Sequence, residues 1–203
     1  GLGAPLPGPI EFDGQPLAPG RRSRTPEQMQ VVFQDPYSSL NPMMSVRTIL
    51  REALHVVGRS PDEVAGLLTT VGLTPDFADR RPAELSGGQR QRIAIARALA
   101  PRPQLLICDE SVSALDVSVQ AQILGLLTRL RSELGLTMVF ISHDLAVVRT
   151  LADDVVVLRD GHVIEQGRCE QVLVNPRHEY TRMLVAAAAR ENLVTTVAGD
   201  DAA

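Results

Sequence analysis

The sequence predicts an α/β domain built on a mainly parallel sheet. Three short apolar runs carry that expectation: Met29 to Phe33, Leu105 to Cys108 and Leu136 to Ile141. Runs of this kind suit strands covered on both faces, and the segments between them show helical spacing. Each run also ends on polar residues: Gln34 after the first, Asp109 and Glu110 after the second, Ser142 and His143 after the third. One polar strand end is unremarkable. In open α/β sheets, however, ligands bind beyond the carboxyl ends of the strands, so an amide, two acids and an imidazole would converge there.

In chain order, Ile10 to Phe12 followed by Asp13-Gly14 reads as a strand entering a tight turn, and Pro16 to Pro26 as an arginine-bearing surface loop. The first core strand stops at Gln34-Asp35-Pro36, where proline blocks continuation. Residues 45 to 83 differ in composition. Ser45 caps a helix running to Val57, Gly58 to Pro61 make a turn, Asp62 to Val71 form a second helix, and Gly72 to Pro75 stop it. Ile49, Leu54, Leu67 and Leu68 are core positions of this helical unit. Arg80 and Arg81 read as a solvated pair.

Ser86 is a good N-cap for the helix from Gln89 to Ala100. Gly87 and Gly88 leave bare backbone where the first helical N–H groups point outward, so this turn can receive an anion. Asp116 caps the next helix, whose Ile123, Leu127, Leu130 and Leu134 follow a helical period, and Gly135 stands at its C-cap. Leu145 to Leu151 is a short helix. Val155 to Leu158 and Val163 to Glu165 form a hairpin around Asp160-Gly161. Cys169 to Val174 and His178 to Ala189 are helical, and the residues beyond read as a loose tail. The chain thus divides into a first core segment (1–41), a helical subdomain (42–84), a second core segment (85–168), C-terminal helices (169–189) and a tail (190–203).

Composition narrows the classes. Hydrophobic residues make up 44% of 203, ordinary for a globular chain, and no apolar run approaches the roughly 20 residues of a membrane helix. A net charge of -4 with mixed signs offers no basic face for nucleic acid. Two cysteines, one in a strand and one opening a helix, argue against a disulfide framework and suit a reducing compartment. All 20 basic residues are arginine, so these residues hold no GxxxxGK[ST] phosphate loop.

Leu85-Ser-Gly-Gly-Gln89, an apolar strand ending Asp109-Glu110, and Ser113-Ala-Leu-Asp116, in this order, resemble the signature, Walker B and D-loop of ATP-binding cassette (ABC) ATPases. The stretch after Gln34 resembles the family's Q-loop, and residues 111–124 and 175–187 resemble ATPases of dipeptide, oligopeptide and nickel importers. The likeness extends to about residue 189. It implies a P-loop NTPase-like core, truncated at its amino terminus just after the phosphate loop, with an inserted helical subdomain.

By that resemblance the cofactors are ATP and Mg2+. Asp109 and Gln34 attend the metal, Glu110 polarises the attacking water, and His143 senses the γ-phosphate together with Gln34. Ser86, Gly87, Gly88 and Gln89 close over nucleotide held by a second ABC ATPase domain, and Asp116 links the two sites. The implied partners are that second domain, two membrane permease subunits and, indirectly, an extracytoplasmic solute-binding protein, at the cytoplasmic face of the cell membrane and without nucleic acid. The implied function is ATP hydrolysis energising import of oligopeptides or dipeptides, with nickel as another solute. A soluble non-transport ABC ATPase and a truncated non-catalytic dimerisation module are the alternatives.

Overall fold

The computed structural model describes residues 11–16, 24–35 and 39–200, with side chains to residue 189. The opening stretch through Ile10, most of the Pro16 to Pro26 loop, residues 36–38 of the Gln34 loop and the last three residues lie outside these.

A minimal hairpin of β1 (Glu11–Phe12) and β2 (Gln15–Pro16) comes first. Its turn places Asp13 and Gly14 at φ 52° and 70°, the mirror-image turn that Asp-Gly favours. The central sheet holds β3 (Met29–Val32), β4 (Leu105–Asp109) and β5 (Thr137–Ile141) in the order β3-β4-β5, all parallel. The predicted first strand thus ends one residue early. Crossovers between these strands carry α1 (Val46–Val56), α2 (Val64–Thr70), α3 (Gly87–Leu99) and α4 (Val117–Leu134).

The helix ends follow local chemistry. Ser45 accepts from the Thr48 amide, Ser86 from Gln89 and Asp116 from Val119, each satisfying a first-turn donor that no helical carbonyl reaches. Gly135 ends α4 at φ 62°, donating to the Arg131 carbonyl. The helix predicted from Asp62 begins with a 3-10 turn at Pro61–Glu63 and becomes α-helical at Val64. Arg80 lies 4.1 Å over the Phe77 ring and pairs with Asp76, so it is engaged locally.

The core sits on one side of the sheet. Leu106 and Cys108 of β4 are fully buried, and Met138 and Phe140 of β5 pack against a cluster that includes Ile93 and Ile95 of α3 and Ile123, Leu127 and Leu130 of α4. The expectation that these strands are covered on both faces needs correction for β5, where Val139 and Ile141 are each 46% exposed. Side chains alternate across a strand, and among the described residues only the Met138 and Phe140 side of β5 meets the main core. Leu134 is also exposed, because Leu124 and Leu126 complete the buried stripe of α4 in its place.

Beyond β5 lie α5 (Leu145–Leu151), the antiparallel pair β6 (Asp154–Arg159) and β7 (His162–Arg168), α6 (Cys169–Val174) and α7 (Glu179–Asp200). The last helix continues past Ala189, where the sequence reading ended it. Glu165 of β7 accepts from the amides of Arg177 (2.7 Å) and His178 (3.0 Å), fixing the turn that launches α7. These bonds, with Arg177 foremost, hold the Glu165 carboxyl below its ordinary range. Both cysteines are free and buried, and burial pushes the Cys108 thiol up to about 12, so neither reads as a reactive thiolate. Among the described residues no helix is long and apolar enough to cross a membrane.

Candidate functional site

Register brings the predicted strand ends together. Val32 pairs with Cys108 and Asp109 with Ile141, so continuing the chains past their last pairs sets Gln34, Glu110 and the Ser142-His143 turn side by side at one sheet edge. The contacts there form a chain. The Gln34 side-chain amide donates to the Ser113 hydroxyl at 3.3 Å, Ser113 donates to the Glu110 carbonyl at 2.9 Å, and the Glu110 carboxylate lies 3.3 Å from His143 Nδ1. His143 is 73% exposed, whereas Glu110 is about one-third exposed. The carboxylate is therefore partly shielded while the imidazole faces outward.

The backbone at Glu110 is unusual. Its φ is 46°, in the left-handed region that a residue with a side chain seldom occupies. Its amide donates to the Ile141 carbonyl at 3.0 Å, and its carbonyl receives both the amide and the hydroxyl of Ser113. Asp144 caps α5 through Ala146 and accepts from Gln120 of α4 at 3.3 Å, which ties the histidine turn to the helix after Asp116. The structure brings the sequence-predicted Gln34, Glu110 and His143 together, through a bridging Ser113 that sequence reasoning missed. A hydroxyl three residues past a strand end looks like ordinary turn chemistry until Gln34 is seen against it.

Magnesium commonly takes one or two carboxylates and draws its remaining oxygens from phosphate and water. Asp109, at the end of β4, and the Gln34 amide oxygen fit that donor set. Among the described residues no three His, Cys, Asp or Glu side chains gather to hold a metal unaided.

The Ser86 turn is a second, separate element. Ser86 and Gln89 cap each other: Ser86 Oγ accepts from the Gln89 amide, and Gln89 Oε1 accepts from the Ser86 amide at 2.9 Å. The Ser86 O–H remains available to donate, and the Gly87 and Gly88 amides stand at the positive end of α3 with no helical carbonyl to bond. A Cβ at Gly88 would fall 2.5 Å from Val119 Cγ1, and one at Gly87 would lie 3.5 Å from Leu115 Cδ2. The turn is therefore seated against the segment around Asp116 of the same chain. Asp116 itself is held below the ordinary carboxylate range, first by the Val119 amide and then by the Ser118 hydroxyl.

Two expectations follow. Gly88→Ala gains up to ~1 kcal/mol of helix propensity but forces an overlap that costs ~1–3 kcal/mol, since a valine in a helix has one dominant rotamer and cannot swing aside. Denaturant unfolding should show net destabilisation that Val119→Ala relieves in the double variant; equal stability of Gly88→Ala and wild type would contradict the packing. Asp116, with its lowered pKa, stabilises the start of α4 above the ordinary aspartate range, and that contribution is lost as pH falls through its folded value. Asp116→Asn, which keeps an uncharged acceptor, should flatten this part of the acid dependence in melting curves. An unchanged profile would remove the cap from the pH response.

Comparison with known proteins agrees with this architecture. The solved structure of CbiO1 from Clostridium perfringens, part of the ABC transporter complex CbiONQ, superposes with a TM-score of 0.75 at 30% identity, covering 97% of this chain and 79% of that one. The ATP-binding cassette MJ0796, solved as a dimer in a post-hydrolysis state bound to ADP and Pi, gives 0.68 at 27% identity, covering 81% and 75%. The fold is that of an ABC ATPase, an α/β core with a parallel sheet and helices. Residues 1–113 match the ABC transporter family, and the chain belongs to it.

Among curated relatives, the chain is 51% identical over 188 residues to the uncharacterised ABC transporter ATP-binding protein YejF of Escherichia coli K12, covering 88% of this chain and 36% of that protein. It is 49% identical to the oligopeptide transport ATP-binding protein OppD of Mycobacterium tuberculosis, covering 92% and 32%. It is 45% identical to OppF of Bacillus subtilis 168, covering 89% and 62%. The chain thus spans between 32% and 62% of the length of these relatives.

Proposed function

We propose that this chain contributes the hydrolytic strand ends and the signature turn of an ATPase that energises import of oligopeptides or dipeptides. The observation that carries the reading is the contact chain from Gln34 through Ser113 and Glu110 to His143 at the carboxyl edge of the parallel sheet. Its transport side is supported by similarity to oligopeptide transport ATP-binding proteins.

Phosphoryl transfer needs little covalent chemistry from the protein, so positioning and charge neutralisation dominate. Asp109 and the Gln34 amide oxygen would hold magnesium, which neutralises charge developing on the phosphoryl oxygens. Glu110 accepts a proton from the attacking water, its carboxylate held beside the imidazole. His143, outward-facing, donates to a γ-phosphate oxygen. Ser86 O–H and the amides of Gly87 and Gly88 address nucleotide held by a second ATPase domain, with Gln89 maintaining the turn and Asp116 set against the facing site. Closure then passes through the Gln34 loop and the helical unit of residues 42–84 to two permease subunits, at the cytoplasmic face of the membrane, with a solute-binding protein supplying the cargo.

Phosphate release by this chain joined to an upstream phosphate-loop segment tests the reading. Hydrolysis should require Mg2+ and stop on chelation. Metal-independent release, or none, would contradict it.

A further inference from the structure

We infer that Ser113 is a positioning residue that orients the Gln34 amide and pins the backbone of Glu110, so that the metal-facing and water-facing strand ends move as one unit. The inference rests on the ATPase reading above. A serine hydroxyl has one hydrogen to donate and lone pairs to accept with. The Ser113 hydrogen goes to the Glu110 carbonyl at 2.9 Å. What remains on Oγ is acceptor capacity, so the group that Gln34 presents at 3.3 Å has to be its NH2. The two ends of a glutamine amide are close in shape, and it is the hydrogen-bond network that decides between them. Here the decision leaves Gln34 Oε1 as the atom available to a cation.

The same hydroxyl acts on Glu110. A left-handed φ of 46° in a non-glycine residue is strained and persists only where its surroundings hold it. Ile141 holds it from the amide side at 3.0 Å, and Ser113 holds it from the carbonyl side with its amide (3.1 Å) and hydroxyl (2.9 Å). Removing the hydroxyl deletes one of these three backbone restraints on Glu110 and the described contact through which Ser113 orients Gln34. Threonine keeps the hydroxyl and both contacts.

Two measurements on Ser113→Ala and Ser113→Thr decide the matter. In the chain joined to a phosphate-loop segment, Ser113→Ala should lower kcat about tenfold, the scale of one lost positioning hydrogen bond, with KM for Mg-ATP changed less than about twofold. Ser113→Thr should restore kcat. In the 203-residue chain itself, the Gln34 side-chain amide resonances should be shifted and protected from exchange in wild type and Ser113→Thr, and should lose that protection in Ser113→Ala. Unchanged Gln34 resonances in Ser113→Ala would overturn the inference, as would a kcat loss that tracks melting temperature and is not rescued by threonine. A wild-type chain joined to the phosphate-loop segment that fails to hydrolyse ATP, while Gln34 still responds to Ser113, would sink the ATPase reading and leave the arrangement of Ser113 standing.

Discussion

Glu110→Gln, in the chain joined to an upstream phosphate loop, is expected to lose about 10²–10⁴-fold in turnover, the range of general-base catalysis, while binding ATP as wild type does. Glutamine keeps the size of the side chain and its hydrogen-bonding reach toward His143, but an amide cannot take a proton from water. The backbone restraints at Glu110 come from Ile141 and Ser113 and do not involve the carboxylate, so the variant should fold with its turn intact. Steady-state phosphate release and equilibrium nucleotide binding, measured on the same preparation, check both halves. Near-normal turnover would remove Glu110 from the role of base.

Ser86→Arg is expected to separate binding from closure. Ser86 is exposed at the tip of the turn, and its hydroxyl and the neighbouring glycine amides are the groups offered to a second domain. Arginine adds bulk there and removes the cap that holds the Gln89 amide, at the end of α3 where a positive charge is unfavourable. In the chain joined to an upstream phosphate loop, ATP-dependent dimerisation, followed by sedimentation in a Glu110→Gln background that retains nucleotide, should be abolished. ATP affinity of the separated monomer should stay within about twofold, since the turn acts on nucleotide held elsewhere. Loss of monomer binding would contradict that division of labour.

Much of this site was legible because it depends on local chemistry. Ser45, Ser86, Asp116 and Gly135 each mark a helix end by residue type alone, and the structure bonds each as a cap. The strand ends were legible for a related reason: short apolar runs that stop on Gln34, Asp109-Glu110 and His143 leave few other places for those side chains. Tertiary register was not legible. Nothing in the order of residues says that Ser113 meets Gln34, 79 positions away, or that Val119 fills the space beside Gly88. One-sided exposure of β5 was missed because the run of four apolar residues from Met138 to Ile141 has no periodicity to distinguish burial on one face from burial on two. The extent of α7 escaped for a similar reason, since residues 192–203 show no apolar stripe from which to extend it.

In the proposed ATPase these residues provide a base, a metal-facing amide and acid, and a phosphate sensor, while the main electrostatic cradle for the β- and γ-phosphates is not among them. With no lysine in 203 residues, and with Asp109 and Glu110 repelling a triphosphate, the chain alone has little to hold ATP. Calorimetry with Mg-ATP on the 203-residue chain, beside the same chain joined to a phosphate-loop segment, tests this most directly. No measurable heat of binding is expected for the first and saturable binding for the second; micromolar binding by the 203-residue chain alone would mean that a phosphate site lies within these residues.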